Sequence, residues 1–291
     1  MEVTWSAKME ALNWVSSVLV VPRITTWEYG TRVSQLKTFV WVANRLNPIN
    51  DSSGLLKINS TGNLVLMSQN ESVVWSIGLQ KQARNPVLQL LDSGNLVLRD
   101  GNSGIFLWES FDYPSDAFLP GIEMGWDLRK GIKWRLTAWK SPDDPSPGDF
   151  TYGIEMHPYP EPVIRKGTSK FYRTGPWNGL QFSGSPDLKP NPIYDYFFVS
   201  NEYEVCYTYN LKNKSLISGI VLNQTSNTRE RYIWLEASQV WQYLETIVTI
   251  TAFVDPMEIV SLVDLLESLV IHSLILLLTQ SGSSSRELVL H

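Results

Sequence analysis

From Phe39 to about Phe118 short apolar runs alternate with short polar ones. "FVWVAN" (Phe39–Asn44), "LLKI" (Leu55–Ile58), "NLVLM", "SVVWS", "VLQLL" (Val87–Leu91), "NLVLR" and "IFLWES" are separated by "NPINDSSG", "STG", "SQNE", "DSG" and "DGNSG". β-branched and aromatic fillings between closely spaced turn residues predict short strands joined in hairpins. No 3.6-residue period competes with that alternation, so the region reads as all-β.

One strand is written twice. Gly-Asn-Leu-Val-Leu stands at Gly62–Leu66 and again at Gly94–Leu98, with Trp75 and Trp108 at similar places downstream. A polar residue, X, Gly and Asn form a tight turn, in which Gly tolerates positive φ and Asn bonds its own backbone. The Leu-Val-Leu that follows then turns one face into a core. A repeated strand predicts a repeated sheet, with the two tryptophans filling the space where sheets meet.

From Trp126 to Trp241 the chain is again strand-rich, with longer connections. "SPDDPSPGDF" (Ser141–Phe150) and "SPDLKPNP" (Ser185–Pro192) read as surface loops, because proline removes a ladder donor and fixes φ. "YDYFFVSNEYEVCYTYNL" and "LISGIVLNQTSNTRERYIWLE" read as a meander of strands, and "FYRTGPWNG" as a turn anchored by a core Trp177. The division that follows is 1–35 as an N-terminal segment of uncertain standing, 36–125 and 126–241 as two β domains, and 242–291 as a tail.

Composition narrows the function. The 291 residues are 43% hydrophobic with 12 Trp, enough for real cores, and the net charge of −5 without any basic run argues against nucleic acid as a partner. The single Cys206 leaves no intramolecular disulfide and no cysteine-based metal site, and no cofactor is expected. His157, His272 and His291 accompany no nucleophile in a recognisable elbow, and Asp143, Asp144 and Glu155 read as solvated loop acids rather than a hydrolytic pair. Five Asn-X-Ser/Thr sequons, at Asn50, Asn59, Asn70, Asn213 and Asn223, point to glycosylation in a secretory route. Leu12–Val21, "LNWVSSVLVV", does not read as a convincing signal peptide: Glu2 and Glu10 flank it and no small-X-small site follows.

Taken in order, "FVWVANRLNPINDSSG", "LQLLDSGNLVLRD", "LWESFDYPSDAFLPG", "WKSPDDPSPGDFTYGIE", "FYRTGPWNGLQFSG" and "LKNKSLISGIVLNQT" resemble the extracellular part of plant S-domain receptor-like kinases and S-locus glycoproteins, over about Leu36 to Trp241. The resemblance implies tandem bulb-type lectin domains of the β-prism II kind and an extracellular or cell-surface location. It also implies a secreted peptide or protein ligand, pollen peptides in some members, and pairing into homo- or heterodimers. In the family an EGF-like segment, a PAN domain, a membrane span and a Ser/Thr kinase follow. These residues contain no Gly-X-Gly-X-X-Gly loop, His-Arg-Asp or Asp-Phe-Gly, so no kinase activity is expected of them. The opening strands expected ahead of "WVANR" are missing or replaced by Met1–Gln35, which leaves the first prism incomplete.

Mannose-binding members of this kind use a strand Gln-X-Asp-X-Asn-X-Val-X-Tyr. The first repeat aligns Asn59, Thr61, Asn63, Val65 and Met67 with those positions, and the second aligns Leu91, Ser93, Asn95, Val97 and Arg99. Asn and Val survive in both, so the degenerate carbohydrate-binding set is Asn59, Asn63, Val65, Asn95 and Val97. Without the carboxylate, whose hydrogen bonds contribute about 1.5–3 kcal/mol each, sugar binding is expected to be weak or absent. Three readings stay open: a non-catalytic recognition module for a protein or peptide, a soluble mannose-type lectin, and a truncated product without function.

The tail departs from the resemblance near Trp241. "IVSLVDLLESLVIHSLILLL" has the length of a membrane span but contains Asp264, Glu267 and His272. Codons for Gln242 onward, read from the third base of each, permit "VPRDYCDNYSLCGPYGNCIIS", which looks like the start of the family's EGF-like segment. The same operation on Trp27–Val33 permits Gly-Ile-Trp-Tyr-Lys, a family motif. A one-base frame change near Gln242 and another upstream of Leu36 are therefore expected in the gene or its reading.

Overall fold

The computed structural model describes the backbone of residues 3–5, 14–21, 24–33, 36–49, 54–79, 83–179, 181–183, 192–213, 216–235 and 240–248, and side chains within these ranges from 40 to 233. Among them the only helix is one 3-10 turn, Ser110–Asp112; the remainder is strand and loop.

The first unit consists of three small sheets. One holds Leu55–Ile58, Leu64–Met67 and Val73–Ser76. A second holds Pro86–Leu90, Leu96–Asp100 and Phe106–Glu109, with Val3–Trp5 alongside. A third holds Trp14–Val21, Ile24–Val33 and Leu36–Val42, so two strands from residues 1–35 pair ahead of the "WVANR" region and this sheet is not cut short as the sequence led one to expect. Each copy of the repeated strand lies between two neighbours of its own sheet, as the repeat predicts. Asn59 N bonds Asn63 O at 2.9 Å and Leu91 N bonds Asn95 O at 2.9 Å, closing the same turn twice around Gly62 (φ 79°) and Gly94 (φ 85°). At Gly62 a side chain would in addition meet Ala83, so only glycine fits there.

Each sheet turns aliphatic side chains and one tryptophan into a common core: Leu64 and Leu66 with Trp75, Leu96 and Leu98 with Trp108, and Val40 with Trp41. The indoles meet edge to face, with centroids 5.8 Å (Trp41–Trp75), 5.5 Å (Trp41–Trp108) and 6.3 Å (Trp75–Trp108) apart. Each such pair adds about 0.5–1.5 kcal/mol beyond burial. The repeat pointed to Trp75 and Trp108; Trp41, the third member, carries no Gly-Asn-Leu-Val-Leu behind it.

The second unit is built on a seven-stranded antiparallel sheet, in spatial order Ser169–Arg173, Glu161–Lys166, Asp144–Glu155, Ile132–Ser141, Met124–Asp127, Glu204–Leu211 and Tyr194–Ser200. A four-stranded sheet of Ala117–Phe118, Ile217–Asn223, Thr228–Leu235 and Val240–Val248 supplies further core residues. Phe118, Leu136, Phe150, Tyr209, Ile220 and Ile233 are buried in a shared core. Trp177 packs on Phe182 and Phe198, as the core reading of "FYRTGPWNG" expects.

The proline-rich stretch Ser141–Phe150 differs from its expectation as a loop, since Asp144 onward is strand. The ladder shifts register at Trp139 and Ser141, and the prolines occupy that irregular stretch, where no regular donor is required. The second stretch expected to be a loop, 185–192, lies almost wholly outside the described residues, as does the apolar run at 259–278. Among the described residues no helix is long and apolar enough to cross a membrane.

Arg45, in the turn after Leu36–Val42, joins the two units. Its Nε donates to the carbonyl of Pro145 at 2.6 Å, and its Nη2 to those of Thr137 and Ala138 at 2.9 and 3.0 Å. On the same junction the Ser115 hydroxyl lies within reach of Val40 O and Asp116 Oδ1.

Candidate functional site

The two repeats place their surviving motif residues at equivalent positions but give them different surroundings. In the second, Asn95 is 5% exposed. Its Nδ2 donates to Glu109 Oε2 at 2.9 Å, and its Oδ1 accepts from Ser110 Oγ at 3.1 Å and Phe111 N at 3.3 Å. Both ends of the amide thus fasten Leu96–Asp100 to the chain beyond Trp108, with three bonds of the four it can make.

In the first repeat, Asn63 Nδ2 donates to Ser76 Oγ at 3.1 Å, while Oδ1 is buried with no hydrogen-bond partner among the described residues. Asn59 turns its Oδ1 inward, accepting from Thr61 N, Thr61 Oγ1 and Asn63 N at 3.0, 2.7 and 2.9 Å. That Asx turn shapes the hairpin, so Asn59 serves the backbone where a sugar-binding glutamine would serve a hydroxyl. Val65 and Val97 are 2% and 0% exposed. Neither offers surface to a ligand.

At the remaining positions Met67 is half-buried, and Arg99 donates its Nε to Gln89 Oε1 at 2.9 Å. The strands therefore keep the framework of a carbohydrate site without its exposed polar row. The buried valines and the triply bonded Asn95 could not be read from motif spacing, because spacing says which residues share a strand face and not what covers that face.

Three of the sequon asparagines sit in Asx turns. Besides Asn59, Asn70 is exposed and accepts from Ser68 Oγ and Ser72 N, and Asn223 accepts from Thr225 N and Ser226 N while donating Nδ2 to Glu230 Oε1 at 3.2 Å. Asn213 is exposed; Asn50 lies outside the described residues.

The titratable groups are structural. Glu155, expected to be a solvated loop acid, pairs instead with Arg165 and with Lys170 at 2.8 Å, and the Arg165 hydrogen bond above all pulls its carboxyl down to about 2. Glu123, Glu204 and Cys206 bring three potential ligand atoms within 4.8 Å of one another. Burial pushes the Cys206 thiol up to about 12, so it is a poor source of the thiolate that a metal would need, and burial also raises the Glu123 carboxyl. His157 is exposed; His272 and His291 lie outside the described residues.

Residues 38–140 match the D-mannose binding lectin family and residues 172–250 match the S-locus glycoprotein domain. The chain is 42% identical over 228 residues to the S-locus-specific glycoprotein BS29-2 of Brassica oleracea var. alboglabra, covering 76% of this chain and 52% of that one. It is 40% identical over 210 residues to the receptor-like serine/threonine-protein kinase SD1-8 of Arabidopsis thaliana, covering 70% of this chain and 24% of that one. It thus spans between about a quarter and a half of these relatives' lengths. Among solved structures, the two-domain fetuin-binding Scilla campanulata agglutinin is 12% identical with a TM-score of 0.24, covering 80% of this chain and 92% of its own.

Proposed function

Because this chain carries a mannose-lectin domain and an S-locus glycoprotein domain in tandem, the pair that marks it as an S-domain protein, we propose that it is a non-catalytic extracellular recognition module whose ligand is a protein or peptide. The observation that carries the reading is the state of the two repeats. Asn95 spends its amide on Glu109, Ser110 and Phe111, and both motif valines are buried. A hydroxyl-rich ligand arriving there would exchange water for almost no new hydrogen bonds. Peptide recognition asks less of these strands, since loops and sheet edges of the same scaffold can supply the contacts. Recognition of pollen peptides, as in some S-domain proteins, is the specific form of this reading.

A second reading rests on Asn63, whose Oδ1 has no partner among the described residues. One strand with one unpaired acceptor, buried until the strand shifts, supports at most a weak mannose lectin. A glycan array and calorimetry with mannose, run beside a panel of secreted cysteine-rich peptides, separate the two. Saturable peptide binding with a blank array supports the first; saturable mannose binding, even at millimolar strength, that is lost in Asn63→Ala replaces it with the second.

A further inference from the structure

Where the three indoles of the first unit approach the second, they border a cavity of about 350 Å³. Tyr113 completes its aromatic wall, with its ring within 13° of parallel to that of Trp108 and its backbone carbonyl accepting from Trp41 Nε1 at 2.9 Å. Leu46, at the rim, is 87% exposed. This volume and lining match those of small-molecule sites, which combine apolar walls with few polar groups.

Three polar groups on the cavity have capacity left. Arg45 commits Nε and Nη2 to the carbonyls of Pro145, Thr137 and Ala138, while its Nη1 has no acceptor among the described residues. Ser76 Oγ accepts from Asn63 Nδ2 and Gly78 N, so its own hydrogen remains to be donated. Asn47 gives Nδ2 to the carbonyl of Val74 and keeps Oδ1 open.

That inventory selects the ligand's chemistry. A sugar ring presents more hydroxyls than three groups can satisfy, and each buried hydroxyl left unpaired is costly. A ring without hydroxyls loses little on leaving water and gains the indole and phenol walls. The guanidinium, a charged donor held in place by three carbonyls, has the Asp116 carboxyl near it as counter-charge and still favours an acceptor with negative charge at its remaining N–H groups. We propose that this cavity binds a small carboxylate carrying one aromatic ring, the ring against Tyr113 and Trp75 and the carboxylate at Arg45 Nη1. The source is either a free aromatic acid or the C-terminal aromatic residue of a peptide. The inference does not depend on whether the repeated strands bind sugar or on which macromolecule the module recognises.

The test uses the full chain with four probes: phenylacetate, phenylacetamide, Gly-Gly-Phe with a free C-terminus and Gly-Gly-Phe-amide. Saturation-transfer NMR and calorimetry should detect one or both acids, with each amide at least tenfold weaker than its acid. Phenylacetate alone identifies a free acid as the source, and the free tripeptide identifies a peptide terminus. Asn47→Trp, which blocks the mouth from an exposed position, should abolish the signal, and Tyr113→Ala should weaken it severalfold. Neither change touches the Arg45 junction, so both variants should fold. No binding of either acid at millimolar concentration, equal binding of acid and amide, or binding unchanged in Asn47→Trp would each overturn the proposal.

Discussion

The Nε of Arg45 lies 2.6 Å from the carbonyl oxygen of Pro145, and through that contact a turn of the first unit is tied to an irregular strand of the second. Three carbonyl oxygens of the second unit receive their hydrogen bonds from one side chain of the first. Replacing Arg45 with Met strands those acceptors, and the expected loss is about 2–4 kcal/mol in urea unfolding. Arg45→Lys keeps the charge but cannot reach three carbonyls at fixed angles, so it should recover less than half of the difference. A variant as stable as the parent would show that the units do not depend on this junction.

Asp116 gives the same junction a pH dependence. Burial raises its carboxyl to about 6 from an ordinary 3.8, against the pull of Arg45 and hydrogen bonds from Ser115 and Trp139. The folded state therefore holds a proton that the unfolded chain has lost between those values. This contribution is complete below 3.8 and disappears as pH rises through 6, up to about 3 kcal/mol in all. Asp112 and Glu123 are also raised by burial and act in the same direction. Glu155, lowered to about 2, acts oppositely but only below its ordinary 4.5. Stability should thus fall as pH rises from about 4 to 6 and level off above that, and Asp116→Asn should flatten most of that slope. A stability rising with pH across this window would contradict the assignment.

Asn95→Ala should destabilise the chain by about 1–3 kcal/mol, because it leaves Glu109 and Ser110 without their partner in a buried place. Asn63→Ala, which removes one hydrogen bond and an already unsatisfied oxygen, should cost less than half as much. Thermal unfolding of the two variants side by side decides whether the repeat is retained for its fold in this way.

Secretion from a eukaryotic host should leave glycans at several of Asn50, Asn59, Asn70, Asn213 and Asn223, with exposed Asn70 and Asn213 the most fully occupied. Peptide mass spectrometry after deglycosylation in heavy-oxygen water reads this directly. Five bare asparagines in secreted protein would remove the sequons' support for an extracellular site of action.

Nucleotides across Gln242–Val260 should encode, in the overlapping frame, the start of a cysteine-bearing segment, with cysteine codons at Ile247/Val248, Phe253/Val254 and Ile259/Val260. Sequencing the locus checks it, and an overlapping frame without those cysteine codons would require the tail to be explained as protein.

Strand alternation, glycine-turn spacing and the Gly-Asn-Leu-Val-Leu repeat were sufficient to establish an all-β chain with repeated sheets, because these are local properties of a few consecutive residues. The degenerate sugar motif was legible for the same reason: which side chains share a strand face follows from a period of two. What covers a face does not. Val65 and Val97 became buried core, Asn95 a three-way fastener and Trp41 the third indole only through contacts between residues far apart in the chain. Arg45 looked like an ordinary polar turn residue, yet it finds its partners some ninety to a hundred positions away, at Thr137, Ala138 and Pro145. Burial and long-range hydrogen bonding depend on how whole sheets pack, so the junction and its aromatic cavity were decided by the tertiary structure alone.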